Sequence, residues 1–334
     1  MGKIARRHHT VPRFYLAGFA NEVSRLGVAR LENGKRFVQT IDNVSVNNNF
    51  YLIESASGQS DEFEKLLNDI ETQASQVWLK ILNEGVWPLT PDDREILGVF
   101  VALQYMRGPN RRRFLSQMNW AVNRLQVGAV GRAKLVDWFA SEQGIEITEA
   151  DADDIWATFS ASSEPTISAS SILHIGQIID SVPDTLRFYT TRPWALIRFK
   201  RKNLLSCDTP VALIPRPGTP PHVGTGLMTA YAIVLAISRN VGLVMADLQP
   251  LAENNVDPER VIAGELDVVE PPTARNANMF NRAAILNARH EIYYHPDDVS
   301  LVPDPLPEVR DSEVVATGVD QMFESLSQMH SRRE

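Results

Sequence analysis

The chain has 334 residues, of which 44% are hydrophobic and 22% are charged, a composition typical of folded globular proteins and not of disordered ones. Its 41 acidic and 33 basic residues give a formal net charge of −8, which excludes a whole-surface attraction to nucleic acid or to an anionic membrane. Only a local basic groove could serve such a partner. The single cysteine, Cys207, excludes an intrachain disulfide.

The start of the chain and its apolar runs predict the compartment. The first residues lack the charged, apolar and small-residue regions of a secretory signal. The longest apolar run covers residues 230–237, which is too short to cross a bilayer as a helix. We therefore expect a cytoplasmic protein without membrane contact.

The first 55 residues are predicted to form an N-terminal segment and a small β-hairpin. Residues 6–19 contain two histidines, a Val-Pro pair and three aromatic side chains, which is enough apolar surface to dock against the body of the protein. Residues 28–32 and 35–40 flank Asn33-Gly34, the pair favoured in a type I′ hairpin turn. A second extended piece follows at residues 50–53.

Residues 60–190 are predicted to be helical. A first helix ends near residue 85 and carries apolar residues at the spacing of a buried face: Phe63, Leu66, Leu67, Ile70, Ala74, Val77 and Ile81. A second helix begins at Thr90-Pro91, since threonine caps a helix and proline suits its first turn, and ends near Arg107. Further helices are expected at residues 110–127, 131–143, 149–160 and 168–188, the last disturbed by Pro183.

Residues 191–300 are predicted to be β-rich, with a closing helix at residues 273–291. Strands are expected at residues 194–199, 204–207, 211–214, 230–237 and 241–246. Residues 301–334 form an acidic, proline-rich tail with an amphipathic stretch at 319–329. The sequence thus predicts an α+β fold, a central helical bundle flanked by the N-terminal β-hairpin region and the β-rich part, with residues 1–300 forming one elaborated domain.

Arg107 is a charged residue on the apolar face of the second helix. At 100° per residue it lies within about 40° of Phe100 and Leu103. Gln104 lies beside it. A buried arginine requires a carboxylate or a bound anion, because removal of a charge from water costs on the order of several kcal/mol. Alternatively, Arg107 extends past the helix end and reaches solvent.

Two glutamates on the first helix offer a partner for Arg107. Glu64 and Glu71 lie about two turns apart on one edge of the apolar face. They are either a solvated pair at the edge of the helix or carboxylates that line a cleft, where a carboxylate could bind a metal.

Asp208 directly follows the predicted strand at residues 204–207 and precedes Thr209-Pro210, where the chain bends. Catalytic carboxylates often lie at such strand ends, although an aspartate there also forms an Asx turn with the following backbone. Cys207 is predicted to be buried and unreactive, because no base is indicated beside it.

Four segments resemble the motifs of one prokaryotic family. They are His9-Thr10-Val11-Pro12-Arg13-Phe14-Tyr15-Leu16-Ala17-Gly18-Phe19, Asn49-Phe50-Tyr51, Gln104-Tyr105-Met106-Arg107-Gly108-Pro109 and Ser206-Cys207-Asp208-Thr209-Pro210-Val211. The order of these motifs over most of the chain resembles the family classed as domain of unknown function 4238. The chain departs from the family pattern at Cys207, which separates Ser206 from Asp208. The resemblance implies a list of residues but no established activity.

The polar residues of these motifs form the candidate site: His9, Tyr15, Gln104, Arg107 and Asp208. If they share one cleft, they suit an intracellular hydrolase that acts on a phosphoester or on nucleic acid, with Arg107 as the anion clamp. A small anionic ligand or nucleic acid would then be the partner. A divalent metal, if one is bound, has three candidate ligands: His9, Glu71 and Asp208.

The alternative is a protein without catalysis. The same five side chains would then form a buried network that fastens the N-terminal segment, and the protein would bind a ligand or another protein. The two interpretations differ in space, because the first needs one open cleft and the second a dry, fully paired network.

The common catalytic motifs are absent. The sequence has no glycine-rich phosphate loop, no Gly-x-Ser-x-Gly elbow, no His-Glu-x-x-His and no paired cysteines for zinc. A basic cluster forms either a phosphate-binding patch with an aromatic ring nearby or a solvated helix start and hairpin loop; its members are Arg107, Arg111, Arg112, Arg113, Trp120 and Lys200-Arg201-Lys202. The sequence does not identify a cofactor, and a divalent metal is the candidate that it offers.

Overall fold

The computed structural model describes residues 6–55, 58–161, 171–220, 223–309 and 319–331. The chain divides into two compact units. The larger unit comprises Met1–Pro109 and Ser171–Asp311, and the smaller comprises Asn110–Ser170 and Ser312–Glu334. The single domain expected for residues 1–300 stays a prediction.

The helices and strands follow in chain order. The helices are α1 (Arg13–Ala17), α2 (Glu62–Leu79), α3 (Pro91–Met106), α4 (Pro109–Val130), α5 (Leu135–Trp138), α6 (Glu149–Ser160), α7 (Ser171–Thr190), α8 (Gln249–Glu253), α9 (Pro258–Ile262), α10 (Ala274–Asn287) and α11 (Val319–Ser331). The strands are β1 (Arg7–His9), β2 (Arg25–Arg30), β3 (Arg36–Thr40), β4 (Val46–Asn48), β5 (Ile53–Ser55), β6 (Gly58–Ser60), β7 (Trp194–Arg198), β8 (Ser206–Cys207), β9 (Ala212–Ile214), β10 (Ala232–Ser238), β11 (Val241–Met245), β12 (Val268–Glu270) and β13 (Glu291–Tyr294).

The α+β fold predicted from the sequence is confirmed. The larger unit contains a five-stranded sheet in the order β12-β7-β11-β10-β9, in which only the β12–β7 pair is parallel. Every residue of β10 is buried, as expected for a central strand rich in Ile, Val and Ala. Helix α3 packs on both α2 and α7.

A second sheet, in the order β3-β2-β13-β8, combines strands from the two chain segments that make up the larger unit. Its strand β13 begins at Glu291, which the sequence predicted as the last residue of a helix, and continues over residues 292–294, for which no element was predicted. Helix α10 ends at Asn287: the N–H of Ala288 still donates to the carbonyl of Ala284, but the amides of Arg289 and His290 donate to the Asp208 carboxylate instead, each at 2.9 Å. The run Ile-Tyr-Tyr that follows favours a strand.

The predicted hairpin is confirmed, but its turn differs. Strands β2 and β3 are antiparallel with Ala29 opposite Arg36, and of the Asn33-Gly34 pair only Gly34 has a positive φ, of 69°. A type I′ turn needs a positive φ at both positions. The pairing of β2 with β3 stops before the turn, since the N–H of Leu31 donates to the carbonyl of His290, just before β13, at 2.8 Å.

The helix predicted at residues 131–143 is present, but it is not one regular α-helix. The segment consists of a 3₁₀ turn at Arg132–Lys134, then α5, then a π-helical turn at Phe139–Gln143. Gly131 and Gly144 bound it with positive φ values of 78° and 64°, a conformation that ends a helix readily only at glycine.

Docking of the N-terminal segment is confirmed. Val11, Tyr15, Leu16 and Phe19 are fully buried in the main hydrophobic core. The Phe14 ring contacts the rings of Trp78 and Phe100, with centroid separations of 5.6 and 5.2 Å. This segment is therefore an integral part of the larger unit and gives His9 a fixed position.

The smaller unit contains helices α4, α5, α6 and α11. The amphipathic stretch at residues 319–329 forms most of α11. Its Phe323 is buried, because the missing side chain of Gly128 allows the ring to lie against α4. Among the described residues, no helix has the length and apolarity needed to cross a membrane.

Candidate functional site

Strand β1 sends alternate side chains in opposite directions. It pairs antiparallel with β4, with His9 opposite Val46. Because side chains alternate along a strand, Arg7 and His9 share one face and His8 lies on the other. His8 is fully buried, and its Nδ1 accepts the backbone N–H of Tyr51 at 2.8 Å.

Directly after β1, the carbonyl of Thr10 joins the N-terminal segment to helix α3. This oxygen accepts two hydrogen bonds, one from Gln104 Nε2 and one from Arg107 Nε, both at 3.0 Å. Arg107 also donates to Gln104 Oε1 at 2.9 Å. Gln104 and Arg107 are both buried. The motif pair Gln-x-x-Arg thus holds the backbone of the His-x-Val-Pro motif.

The predicted ion pair of Arg107 is present. The Glu71 carboxylate lies 2.5 Å from the Arg107 guanidinium, whose side chain is 1% exposed. Burial alone would lower the pKa of Arg107, but the charge of Glu71 raises it above its usual value. The Arg107 cation is therefore fixed and neutralised inside the protein, and of the two glutamates considered from the sequence its partner is Glu71.

Tyr15 and Asp208 have structural contacts elsewhere. The Tyr15 hydroxyl lies 2.7 Å from Ser206 Oγ, and burial raises the pKa of Tyr15. The Asp208 carboxylate holds the two amides that precede β13, and burial raises its pKa although these amides act in the opposite direction. Neither residue lines the pocket described next.

A polar pocket with a volume of about 490 Å³ lies between β1, α1 and α2, and we call it the β1–α2 pocket. Strand β1 and helix α1 contribute Arg7, His9, Arg13 and Phe14. Helix α2 contributes Glu64, Asn68, Glu71, Thr72 and Ser75. Glu64, Asn68, Glu71 and Ser75 recur at spacings of three or four positions and so share one helix face, with Thr72 beside them, whereas Phe63 and Leu67 point to the core.

Glu64 is the most perturbed carboxyl group in this pocket. Burial raises its pKa to about 7, with a further increase from the charge of Glu71 and a partial decrease from Arg107. Its Oε2 is buried and has no hydrogen-bond partner among the described residues. Buried polar atoms are normally paired, so an unpaired carboxyl oxygen calls for a ligand or a functional role.

His9 is the second group in this pocket that combines a shifted pKa with an unpaired buried atom. Burial lowers the pKa of His9, as does the charge of Arg13, while a hydrogen bond with the Val44 backbone and the charge of Glu71 act in the opposite direction. The imidazole is therefore neutral at pH 7. Its Nδ1 is buried and, in the described part of the chain, has no hydrogen-bond partner. The pocket thus contains one unpaired carboxyl oxygen and one unpaired imidazole nitrogen.

Two cations lie at the same pocket. Arg7 donates to the Asp42 carbonyl at 3.1 Å and to Asn43 Oδ1 at 2.8 Å. Both acceptors are uncharged, so these bonds orient the Arg7 guanidinium without neutralising it. Arg13 pairs with the Asp42 carboxylate at 3.1 Å, and both side chains are 64% exposed, which makes this a weak, screened pair.

The metal-ligand candidates His9, Glu71 and Asp208 do not form a ligand set. Within the described ranges, no three His, Cys, Asp or Glu side chains converge as a metal site. The Glu71 carboxylate forms an ion pair with Arg107, and the Asp208 carboxylate accepts hydrogen bonds from the two amides before β13.

The five predicted site residues are thus divided among three places. Gln104 and Arg107 lie together behind β1, His9 lines the pocket, and Tyr15 and Asp208 contact other parts of the larger unit. The prediction did not include Arg7, Arg13, Phe14, Asn68, Thr72 or Ser75. The polar stripe on α2 was a usable indication, because Glu64 and Glu71 were already assigned to one helix edge.

The raised pKa of Glu64 predicts a pH-dependent stability. A carboxyl whose pKa is about 7 in the folded protein, against a usual 4.5, opposes folding once it ionises. The cost develops between these two pH values and is complete above them. Glu64→Gln should therefore match wild type near pH 4.5 and be more stable near pH 8, by on the order of 3 kcal/mol.

Urea denaturation at several pH values measures this difference. Glu62→Gln is the matched control, because Glu62 is an exposed carboxylate in the first turn of the same helix. It should show no gain above pH 7. Parallel pH profiles for wild type and Glu64→Gln would contradict the prediction.

The family model described as "Protein of unknown function (DUF4238)" matches residues 7–298. The match contains all four motif segments and the complete β1–α2 pocket. The resemblance predicted from the motifs is confirmed. Comparisons with curated proteins and with solved structures found no match.

Proposed function

The chain belongs to this family of unknown function, and we propose that its β1–α2 pocket cleaves a phosphoester by general acid and general base catalysis. His9 is the base, Glu64 is the acid, and Arg7 and Arg13 bind the anionic substrate. The proposal keeps His9 from the candidate site predicted from the sequence and assigns the other four residues of that site to positioning.

The observation that carries the proposal is the pair of unpartnered, buried atoms His9 Nδ1 and Glu64 Oε2 in one pocket. Their pKa shifts run in opposite directions, so that at neutral pH the imidazole is free to accept a proton and much of the carboxyl is able to donate one. Two titratable groups whose environments separate their protonation states are the usual basis for assigning a base and an acid.

The surrounding charges support this assignment. Arg107 neutralises Glu71, so Glu64 is the carboxyl of this pair whose raised pKa fits it for proton transfer. Arg7 and Arg13 place positive charge at the pocket, where a phosphate group would replace weak contacts with charge-assisted hydrogen bonds.

A second function, ligand binding without catalysis, is favoured by the pairing of the motif residues. Gln104, Arg107 and Tyr15 are buried and hydrogen-bonded within the larger unit, as expected for a network that fastens the N-terminal segment. In that case the pocket would bind a small anion and leave it unchanged. Turnover distinguishes the two functions.

We expect purified protein to cleave at least one member of a panel of p-nitrophenyl phosphate, bis(p-nitrophenyl) phosphate and a ribodinucleoside monophosphate. His9→Gln and Glu64→Gln should each lower kcat/KM by about 10²–10⁴-fold, the usual contribution of a positioned acid or base. Glu62→Gln, which lies outside the pocket, should retain wild-type activity.

The pH profile gives an independent check. Activity should rise as His9 loses its proton below pH 6.5 and fall as Glu64 ionises near pH 7, which gives a bell-shaped profile. Phosphate binding without turnover of any substrate would favour the second function, and activity unaffected by both variants would overturn the assignment of base and acid.

A further inference from the structure

We infer that the substrate is a ribonucleotide phosphodiester whose own 2′-hydroxyl is the nucleophile. This inference rests on the proposed acid and base and deepens it, since it names the substrate class and the origin of the attacking oxygen. Three features of the β1–α2 pocket support it.

First, the hydroxyl groups of the pocket are engaged with the helix that carries them. Thr72 Oγ1 donates to the carbonyl of Asn68, and Ser75 Oγ donates to the carbonyl of Thr72, both at 2.7 Å. A covalent mechanism requires a hydroxyl whose proton is directed at a base. These two protons are directed at backbone carbonyls, so the nucleophile is better supplied by the substrate.

Second, the base has no partner within the described part of the protein. His9 lines the pocket, and its Nδ1 makes no hydrogen bond there, so this nitrogen is left for a group of the bound substrate. A hydroxyl attached to the bound substrate is positioned by the binding of the phosphate and the sugar. Such an intramolecular nucleophile gains the large advantage of proximity and needs no separate water site.

Third, the pocket combines cations with an aromatic wall. The ring of Phe14 is held by edge contacts with Trp78 and by a tilted contact with Phe100, and it faces a pocket that also contains Arg7. Base stacking on an aromatic ring, together with arginine at the phosphate, is a common arrangement for single nucleotides. The volume of about 490 Å³ suits a ligand of that size.

The step balances without a further reactant. His9 Nδ1 takes the proton of the 2′-hydroxyl, and the 2′-oxygen forms a bond to phosphorus. The bond from phosphorus to the 5′-oxygen breaks, and that oxygen receives the proton of the Glu64 carboxyl. The products are a 2′,3′-cyclic phosphate and a free 5′-hydroxyl, and the two protein groups exchange their protonation states.

The test compares a ribodinucleoside monophosphate, its 2′-deoxy analogue and bis(p-nitrophenyl) phosphate, with the full-length protein. The ribonucleotide should be cleaved to the cyclic phosphate, without incorporation of ¹⁸O from labelled water into that first product. The deoxy analogue should not be cleaved, and it should inhibit competitively with an inhibition constant close to the KM of the ribonucleotide. Loss of cleavage with retained binding assigns the hydroxyl to the chemical step.

Variants separate binding from chemistry. Arg7→Gln should raise the KM of the ribonucleotide and the inhibition constant of the deoxy analogue by a similar factor, about tenfold for one lost phosphate contact of about 1.4 kcal/mol. Arg25→Gln is the matched control, because Arg25 is an exposed arginine outside the pocket.

The outcomes distinguish this inference from the proposed function. The deoxy analogue or bis(p-nitrophenyl) phosphate could be cleaved at a rate similar to that of the ribonucleotide, with loss of activity in His9→Gln and Glu64→Gln. That result would support the proposed acid and base but would overturn the assignment of the 2′-hydroxyl as the nucleophile. Incorporation of ¹⁸O into the first product would do the same. No cleavage of any of the three would overturn both.

Discussion

A variant that lacks residues 1–20 is expected to lose the cooperative unfolding transition of the larger unit. Four fully buried apolar side chains disappear with this segment: Val11, Tyr15, Leu16 and Phe19. Burial of such a side chain contributes about 1.5–3 kcal/mol, so together they contribute on the order of 6–12 kcal/mol. This equals the typical stability of a whole domain, about 5–15 kcal/mol.

The deletion also removes the Thr10 carbonyl. Gln104 and Arg107 would then lose the acceptor that they share inside the core. A buried donor without a partner costs about 1–3 kcal/mol, and more if it is charged. The polar loss therefore adds to the apolar loss rather than offsetting it.

Near-ultraviolet circular dichroism and thermal denaturation measure this effect. Two point variants provide a graded test within the segment and beside it. Leu16→Ala removes a fully buried side chain and should cost about 2–5 kcal/mol. Val23→Ala changes a side chain that is 69% exposed and should cost less than about 0.5 kcal/mol. An unchanged melting temperature in the deletion variant would show that the segment contributes nothing to the fold.

The features that the sequence predicted well are local ones. Thr90 caps α3 as expected, since its side chain accepts the N–H of Asp93 at 3.2 Å and Pro91 occupies the first turn. Helical spacing placed Arg107 on the apolar face of α3, because the backbone geometry of a helix fixes which residues share a face, but it left open whether the side chain extends to solvent. The same spacing placed Glu64 and Glu71 on one edge of the neighbouring helix, as candidate partners.

The features that the sequence could not predict depend on distant pairs. Tyr15 and Ser206 are 191 residues apart, yet their hydroxyl groups are 2.7 Å apart. Asp208 has its role only because β13 begins beside it, and this strand of four residues follows a helix with no turn motif between them. Strand pairing is set by tertiary packing, which local propensity does not record.

The β1–α2 pocket depends both on a local sequence pattern and on contacts between distant parts of the chain. The polar face of α2 is a local pattern, but the pocket that it lines also needs the short strand β1, which the sequence did not predict. Three of the four motifs of the family contact one another beside this strand: the Thr10 carbonyl accepts from Gln104 and Arg107, and the Tyr51 hydroxyl donates to the carbonyl of Arg107. The backbone N–H of Tyr51 also donates to His8, which lies in β1. Motif residues therefore position His9, and the acid lies outside the motifs.

Arg107 is the centre of this arrangement, and its loss should have the largest effect of any single substitution proposed for the site. Its guanidinium donates to Glu71, Gln104 and the Thr10 carbonyl at once, in a plane that only arginine provides. Removal of one partner of a buried ion pair typically costs about 3–5 kcal/mol, because the remaining groups keep the cost of burial without compensation. Lysine supplies a single charged nitrogen and cannot reach three acceptors on different sides.

Urea denaturation of Arg107→Met and Arg107→Lys should therefore give midpoints far below that of wild type, with Lys restoring only a minor part of the loss. Arg260→Met is the matched control, because the Arg260–Glu265 pair is a surface ion pair whose side chains are 56% and 49% exposed. Its loss should cost less than about 1 kcal/mol. Midpoints for the Arg107 variants that coincide with that of Arg260→Met would place the Arg107 pair among weak surface contacts. The ion pair could then not be what holds His9 beside Glu64, and the proposed base would lose its fixed position.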